Sequence, residues 1–188
     1  MHVLPAAAPA TAPHGFLALI DTLRQADAQA SAGGLPQAMG AALQRHVAAG
    51  ASQLLTPAQC RGSAERYTRH LLYAHPLGHF AMVALVWHPG QRTPVHGHYT
   101  WCAYAVLQGE LREERYDWDE QAGTACLATQ AARPAGAVIS AHAGLQDIHR
   151  LCNASDHLAI SLHVYGVDGE RVSTHVNRLA PIADEVPA

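Results

Sequence analysis

Residues 90–109 read G-Q-R-T-P-V-H-G-H-Y-T-W-C-A-Y-A-V-L-Q-G, and this stretch decides the fold. Its first half places His96 and His98 on a segment with β character. Because side chains alternate between the two faces of a strand, both imidazoles point to the same side. Histidine is the commonest metal ligand among side chains. Two histidines at this spacing can therefore chelate one metal ion, with a third ligand supplied by another strand.

Short β-rich runs separated by Gly, Pro and Asp surround this stretch. They cover 79–87, 95–98, 102–108, 110–117, 123–129, 137–141, 145–151, 157–165 and 171–177. About nine short strands with regular turn signals predict a β-sandwich or a small barrel. Upstream, apolar residues such as Phe16, Leu19 and Leu23 recur at helical spacing until about Gly50, with a break at Gly33-Gly34. We expect two amphipathic helices that cover one face or end of the barrel.

Length and composition bound the kind of protein. The 188 residues suffice for one domain with a helical preface, and 49% hydrophobic and 14% charged residues are typical of a globular chain. We predict a disordered leader at 1–14, a helical segment at 15–64, the barrel at 65–179 and a tail at 180–188. We expect a monomer or a small homo-oligomer.

Charge and cysteine usage exclude several classes of partner. The net charge is -3 and the 12 Lys and Arg residues are scattered, so a nucleic-acid partner is not expected. No run approaches the ~20 apolar residues that a membrane span requires. The four cysteines form no C-x-x-C pair, and the leader lacks the positive and apolar regions of a signal peptide. These features predict a cytoplasmic protein.

The spacing from Gly90 to Gly109 reproduces the first cupin motif, G-x5-H-x-H-x3-E-x6-G, except that Cys102 stands in place of the glutamate. A second motif, G-x5-P-x-G-x2-H-x3-N, is resembled more loosely by Gly136, Gly144, His149 and Asn153, with His142 where proline is usual. The match implies a mainly β cupin barrel, or jelly roll, with the N-terminal helices packed outside. It also implies His149 as the third metal ligand.

Replacing the usual glutamate with Cys102 leaves three neutral imidazoles as protein ligands, unless the thiolate itself binds. With a divalent ion, such a site has open coordination positions and a net charge of about +2. It suits an anionic substrate that donates a thiolate, together with dioxygen. Imidazole also accepts zinc, nickel and manganese, so the ligands alone leave the metal open.

Two further segments place polar side chains on one face of a strand. In Ser161-Leu-His163-Val-Tyr165 a hydroxyl, an imidazole and a phenol alternate with apolar residues, so they can form a hydrogen-bond relay in which His163 orients or deprotonates Tyr165. Tyr67 and Arg69 have the same spacing, and a guanidinium there can grip a substrate carboxylate in bidentate fashion. The alternatives are an edge strand with its polar face in water and a solvated surface arginine.

Together these residues resemble the cysteine dioxygenase (thiol dioxygenase) family of cupins. The resemblance covers about 65–177 and rests on E-R-Y-T-R (65–69), P-V-H-G-H (94–98), L-Q-G-E-L-R-E-E-R-Y-D-W (107–118), G-L-Q-D-I-H-R-L-C-N (144–153) and S-L-H-V-Y (161–165). It implies Fe(II) bound by three histidines (His96, His98, His149), a substrate carboxylate bound by Arg69 with help from Tyr67, and Tyr165 facing dioxygen and substrate with support from His163 and Ser161.

The resemblance also implies a thioether bond between a cysteine near the metal and the tyrosine. Cys102 fits that role when counted back from Gly109, although it falls one residue early when counted forward from His98. Gly97 departs from the usual H-D-H, and since its side chain would point away from the metal, little loss of ligation is expected.

The implied reaction is oxidation of a small thiol carboxylate by dioxygen to its sulfinic acid, with L-cysteine as the expected substrate. The runs R-H-L-L-Y (69–73) and W-H-P-G-Q-R-T-P-V-H (87–96) look more like bacterial 3-mercaptopropionate dioxygenases, which carry Gln where Arg69 stands. 3-Mercaptopropionate or mercaptosuccinate therefore remains an alternative substrate. Outside this class, the alternatives are a metal-dependent cupin isomerase and a ligand-binding cupin.

Overall fold

A computed structural model describes residues 3–4 and 13–182 of the chain. The helices are α1 (His14–Gln29), α2 (Leu35–Val47) and α3 (Ala51–Leu54). The strands are β1 (Val3–Leu4), β2 (Thr68–Ala74), β3 (Ala81–Trp87), β4 (His96–His98), β5 (Cys102–Gln108), β6 (Glu110–Asp119), β7 (Thr124–Pro134), β8 (Val138–Ala141), β9 (Gly144–Cys152), β10 (Ala159–Tyr165) and β11 (Asn177–Leu179).

The strands form two sheets that enclose a common interior. One sheet has the order β1-β2-β3-β10-β5-β8 and the other the order β11-β4-β9-β6-β7. Neighbouring strands are antiparallel throughout, apart from the short parallel pair β1–β2. The predicted mainly β cupin barrel is confirmed.

The helices cover the outer face of the six-stranded sheet. Leu19 and Leu23 of α1 and Met39 and Leu43 of α2 pack into one cluster with the outward side chains of β3, β5 and β10. The inward side chains of the same strands form a second cluster inside the barrel. Strands buried on both faces need apolar residues on both, which explains the unbroken run A-M-V-A-L-V-W of β3. The helices lie outside the barrel, as predicted.

The strand predictions differ most from the structure at two places. The sequence predicts a strand at 171–177, but a 3-10 turn at Gly169–Arg171 lies there and β11 begins only at Asn177. Val172 and Val176 in this loop are buried against the barrel interior, and they give the loop an apolar pattern like that of a strand. Strand β2 is absent from the predicted runs because its half-buried positions give no clean alternation.

The predicted leader and tail fall mostly on residues outside the described ranges. Of the tail at 180–188, residues 183–188 are not described, whereas Ala180 donates its N–H to the Val95 carbonyl and Pro181 accepts from the Ala125 N–H. Of the leader at 1–14, only Val3–Leu4 and residues 13–14 are described, and His14 already belongs to α1.

Candidate metal centre

Three histidines meet inside the barrel. His96 and His98 project from β4, and His149 lies directly opposite His96 on the neighbouring strand β9. The ring centroids are 4.8–5.1 Å apart, and one nitrogen from each ring lies within 4.8 Å of the other two. All three residues are buried. The arrangement can hold a metal ion.

The hydrogen bonds around the rings leave lone pairs for a metal. The Nδ1–H of His96 donates to the Pro94 carbonyl at 2.9 Å, and the Nδ1–H of His149 donates to Glu113 Oε1 at 2.9 Å. Each of these rings therefore keeps its lone pair on Nε2. Nδ1 of His98 is buried and has no hydrogen-bond partner among the described residues. Three imidazoles with uncommitted nitrogens fit a divalent transition metal.

Burial keeps two of the rings neutral. Burial, reinforced by the neighbouring His149, lowers the pKa of His96 to about 3. The same two causes bring the pKa of His98 well below its usual value. Since a metal binds the neutral imidazole, no proton has to be displaced from these two rings at neutral pH.

Glu113 on β6 holds His149 from behind. Its Oε1 accepts from His149, and its Oε2 accepts from the Nε and Nη2 of Arg133 at 2.9 and 2.7 Å. Burial alone would raise the pKa of Glu113, but the hydrogen bonds from His149 and Arg133 outweigh it and lower the pKa to about 2. A carboxylate behind a metal-binding histidine fixes the ring and increases its basicity.

The polar residues of β10 form a directed chain of hydrogen bonds. Trp87 Nε1–H donates to Ser161 Oγ at 2.9 Å, Ser161 Oγ lies 2.8 Å from His163 Nε2, and His163 Nδ1 lies 3.2 Å from the Tyr165 hydroxyl. Tryptophan can only donate, so Ser161 accepts from it, and His163 Nε2 is the acceptor left for the Ser161 proton among the described residues. Neutral His163 then carries its proton on Nδ1 and donates to Tyr165.

The sequence leaves open whether His163 orients or deprotonates Tyr165, and the direction of the hydrogen bonds bears on this choice. Burial, followed by the charge of Arg69, brings the pKa of His163 well below its usual value, so the ring is neutral. Burial and the neighbouring Cys102 raise the pKa of Tyr165, so the phenol keeps its proton. This arrangement favours orientation of the Tyr165 hydroxyl by His163 over its deprotonation.

Cys102 and Tyr165 are direct partners across two neighbouring strands. The β5–β10 register pairs them, and residues paired in this way point to the same face of the sheet. Both side chains are buried, and both belong to the cluster inside the barrel. Of the two ways to count the position of Cys102, the one from Gly109 agrees with this register.

Arg69 is buried inside the barrel, with 2% of its surface exposed. Its Nε and Nη1 have no hydrogen-bond partner in the described part of the chain. The guanidinium lies 5.9 Å from the ring centroid of Tyr67, which stacks on Trp87 at 4.7 Å. The positive charge of Arg69 acts to lower the pKa of four interior groups, although burial has the largest effect on each. These groups are His96, Cys102, His163 and Tyr165.

A family model supports the resemblance seen in the sequence. The model for cysteine dioxygenase type I matches residues 60–174, which is more than half of the chain. The chain belongs to the cysteine dioxygenase type I family. Membership implies a metal-dependent thiol dioxygenase that acts on a thiol and dioxygen.

Several solved structures resemble the chain at low identity. TT1209 from Thermus thermophilus is 21% identical over 58% of this chain and 91% of that chain, with a TM-score of 0.47. A Klebsiella pneumoniae protein with a double-stranded β-helix domain is 19% identical over 58% and 79%, also at 0.47. An oxalate oxidase is 21% identical over 47% of this chain and 42% of that chain, with a TM-score of 0.40.

In the described residues, no helix is both long and apolar enough to cross a membrane.

Gly97 is a departure from the usual family pattern with a structural cause. A Cβ at this position would overlap the backbone carbonyl oxygen of Gly144, because β4 and β9 approach closely where the His98–Gly144 pair follows a register shift. An aspartate side chain does not fit here unless the strands move. The close approach of backbone to backbone is not visible in the sequence.

Two buried residues near the centre were not singled out from the sequence. Glu113 lies within the family stretch 107–118, and alternation does not mark it, because Leu111 and the charged Arg115 flank it on the same face of the strand. Tyr104 pairs with His163 across β5–β10 and stacks on its ring at 5.1 Å. The Tyr104 hydroxyl is buried without a hydrogen-bond partner among the described residues. No sequence motif marks Tyr104.

Proposed function

We propose that this protein is an iron-dependent thiol dioxygenase that oxidises L-cysteine to its sulfinic acid. The balanced reaction is thiol plus dioxygen to sulfinic acid: sulfur loses four electrons, dioxygen gains them, and both oxygen atoms end on sulfur. No external reductant is required. The observation that carries the proposal is the buried guanidinium of Arg69, whose Nε and Nη1 have no hydrogen-bond partner among the described residues, beside a three-histidine group to which those residues add no carboxylate.

The three histidines are the proposed iron ligands. Their donor set, three imidazoles and no carboxylate, leaves open positions and an uncompensated positive charge. A bound iron ion would supply the activation of dioxygen and would lower the pKa of the substrate thiol. The chain's own contribution is to hold His149 through Glu113 and to keep His96 and His98 neutral.

Arg69 is the proposed site for the substrate carboxylate. A buried cation without a partner is costly, and an anionic ligand that accepts from its Nε and Nη1 would remove that cost. Tyr67 supports the guanidinium from one side and is itself held by stacking on Trp87. The substrate is thereby oriented with its carboxylate at Arg69 and its sulfur toward the histidines, which is the positioning that the reaction needs.

Tyr165 is the proposed donor to the reacting sulfur or oxygen atoms. Since its oxygen accepts from His163, its own proton remains available for a group inside the barrel. Trp87 and Ser161 hold His163 in the tautomer that makes this possible. The relay therefore supplies an oriented, protonated phenol.

We also propose that Cys102 and Tyr165 become joined by a thioether bond during turnover. The step removes one hydrogen from the thiol and one from the phenol ring, and dioxygen accepts the two electrons and two protons. Peptide mapping by mass spectrometry after turnover would show a linked peptide lighter by two hydrogen atoms. Unmodified Cys102 and Tyr165 after turnover would contradict the crosslink, and a C102A variant that still shows the mass loss would assign it elsewhere.

Oxygen uptake with a panel of thiols tests the function. Iron-loaded protein is given L-cysteine, 3-mercaptopropionate, mercaptosuccinate and cysteamine, which lacks a carboxylate. We expect uptake with sulfinic acid formed, fastest with cysteine and slowest with cysteamine. Faster turnover of 3-mercaptopropionate or mercaptosuccinate would reassign the substrate, and no uptake with any thiol would reject the function.

The same assay tests the role of Arg69. R69Q removes the charge, and we expect kcat/KM for cysteine to fall on the order of 10- to 100-fold, as for loss of a charge-assisted hydrogen bond. The difference between cysteine and cysteamine should shrink in this variant, since the carboxylate no longer has a partner. R66Q, at an exposed arginine three residues upstream, serves as the matched control and should match the parent protein.

A further inference from the structure

A second group of metal-binding side chains lies on the outside of the barrel. Asp27 comes from the last part of α1, whereas His75 and His79 flank the turn between β2 and β3. One ligand atom from each residue lies within 4.8 Å of the other two. None of the three takes part in the proposed thiol oxidation.

Asp27 and His79 are already in contact. The Nδ1 of His79 lies 2.7 Å from Asp27 Oδ2, and the side chain of Asp27 is only 12% exposed. The carboxylate therefore stays oriented toward the turn, with the His79 ring against it. Ligands of one tetrahedral zinc ion lie about 3.3 Å apart, because each is about 2.0–2.1 Å from the metal. An ion would replace the hydrogen bond between His79 and Asp27, with the proton of His79 carried on Nε2 and the two ligand atoms moved apart.

His75 completes the group. Its ring stacks on that of His79, with 4.6 Å between the centroids and 19° between the planes, so one ring has to turn before the in-plane lone pairs of both reach one ion. Burial and the neighbouring His79 lower the pKa of His75, so the ring is neutral. The hydrogen bond recorded at its Nδ1, from the Leu77 N–H, is long at 3.3 Å.

The surroundings of the group favour a cation slightly. It lies in a surface groove of about 600 Å³ that Asp21 and Arg24 of α1 also line. Two carboxylates, Asp21 and Asp27, stand against one guanidinium, Arg24, so the groove carries one net negative charge when both histidines are neutral. A divalent ion fits this balance, and two imidazoles with one carboxylate are ligands that zinc-like ions accept.

We propose that Asp27, His75 and His79 form a second binding site, for a divalent transition-metal ion of the zinc class. The bound ion joins α1 to the β2–β3 turn, and so it fastens the outer helical layer to the barrel. The site is independent of the three-histidine group. A direct consequence is that purified protein takes up more than one equivalent of metal.

Titration of the metal-free protein with zinc tests the proposal. Equilibrium dialysis gives the number of equivalents bound, and thermal unfolding gives the stabilisation by each. We expect two equivalents for the parent chain and one for H79A and for D27N, with the Tm gained from the second equivalent lost in both variants. Cobalt(II) in place of zinc should show the same loss through its visible absorption.

H157A is the matched control. His157 lies 3.3 Å from the carboxylate of Asp156 on the surface, but both side chains are more than four-fifths exposed, and neither belongs to a metal-binding group within residues 3–4 and 13–182. This variant should keep both equivalents. The same number of equivalents in the parent chain as in H79A and D27N would overturn the proposal, whereas a single equivalent that is lost in both variants would mean that the three-histidine group is the one that fails to bind. If H79A fails to fold, D27N and H75A carry the same test.

Discussion

Glu113 accepts a hydrogen bond from His149 and thereby fixes the orientation of this ring. E113Q keeps the shape of the side chain but replaces the charged acceptor that His149 and Arg133 share. Because loss of such a partner weakens the ligand, we expect metal affinity of the three-histidine site to fall roughly 10- to 100-fold. Competition with a chromophoric chelator measures the affinity.

Glu114 provides the control for this substitution. It is the next residue on β6, and its carboxylate binds Arg150 and the Tyr116 hydroxyl instead of a histidine. E114Q should therefore leave metal affinity unchanged. An equal loss in both variants would show that the effect comes from general damage to β6 and not from the contact with His149.

Trp87 sets the direction of the relay, and this direction is measurable. In the parent protein the ring of His163 should give nitrogen-15 shifts of a protonated Nδ1 and an unprotonated Nε2. W87F removes the donor to Ser161, so the hydroxyl is free to turn and both tautomers of His163 become populated. The change should appear in the nitrogen-15 spectrum, with W118F as the control.

A spectrum of His163 in which Nε2 carries the proton in the parent protein would contradict the relay as described. Unchanged shifts in W87F would show that another group fixes the tautomer. The sequence predicted that Ser161, His163 and Tyr165 share a face, since that follows from alternation along one strand. It could not predict the direction, because Trp87 lies on a strand 74 residues away.

At the scale of the elements, β4 and β9 approach closely at Gly97, between two of the metal-binding histidines. In G97A the new methyl group would overlap the Gly144 carbonyl, so β4 or β9 must move. We expect a loss of roughly 1–3 kcal/mol in the free energy of unfolding, as for overpacking of a core. Metal affinity should fall as well, because His96 and His98 flank the displaced position. Urea unfolding and metal titration measure the two effects.

Gly33 offers a matched glycine for comparison. A Cβ there meets nothing within 4 Å, so G33A should leave stability and metal affinity near the parent values. Full stability of G97A with unchanged metal affinity would contradict the close approach. From the sequence, Gly97 stands out only as a missing aspartate, because spacing along one strand carries no information on the distance to the next.

The two-sided burial of β3, β5 and β10 explains why most of the fold was predictable. Their apolar runs, the glycine turns and the helical spacing of 15–50 are local signals, and they were enough for the barrel and the outer helices. The ends of the β region were harder to predict from the sequence. Strand β2 is half-buried, and the loop before β11 contributes Val172 and Val176 to the core without being a strand.

Acid should destabilise the metal-free protein as a whole. His96, His98 and His163 have lowered pKa values in the folded barrel, about 3 for His96, against 6.5 without burial. As pH falls, the unfolded chain takes up these protons first, so stability that is present above about pH 6.5 is lost progressively toward pH 3. For His96 alone the loss between about pH 7.5 and pH 5 is about 2 kcal/mol.

Urea unfolding of the metal-free protein at these two pH values checks this expectation. H96Q should reduce the difference, since glutamine does not titrate, whereas the exposed-site variant H157Q should retain it. Equal stability at both pH values in the parent protein would contradict the neutral state of the buried rings. Saturating metal should raise stability at both pH values but leave the difference between them, because the folded rings are already unprotonated above pH 5 without metal.

The most direct test of the central claim is the origin of the oxygen atoms in the product. Iron-loaded protein is supplied with L-cysteine under oxygen-18 gas in ordinary water, and the product is analysed by mass spectrometry. A thiol dioxygenase predicts cysteine sulfinic acid in which both sulfinate oxygens carry the label. A product with one labelled oxygen or none, or the absence of sulfinic acid, would contradict the proposed function.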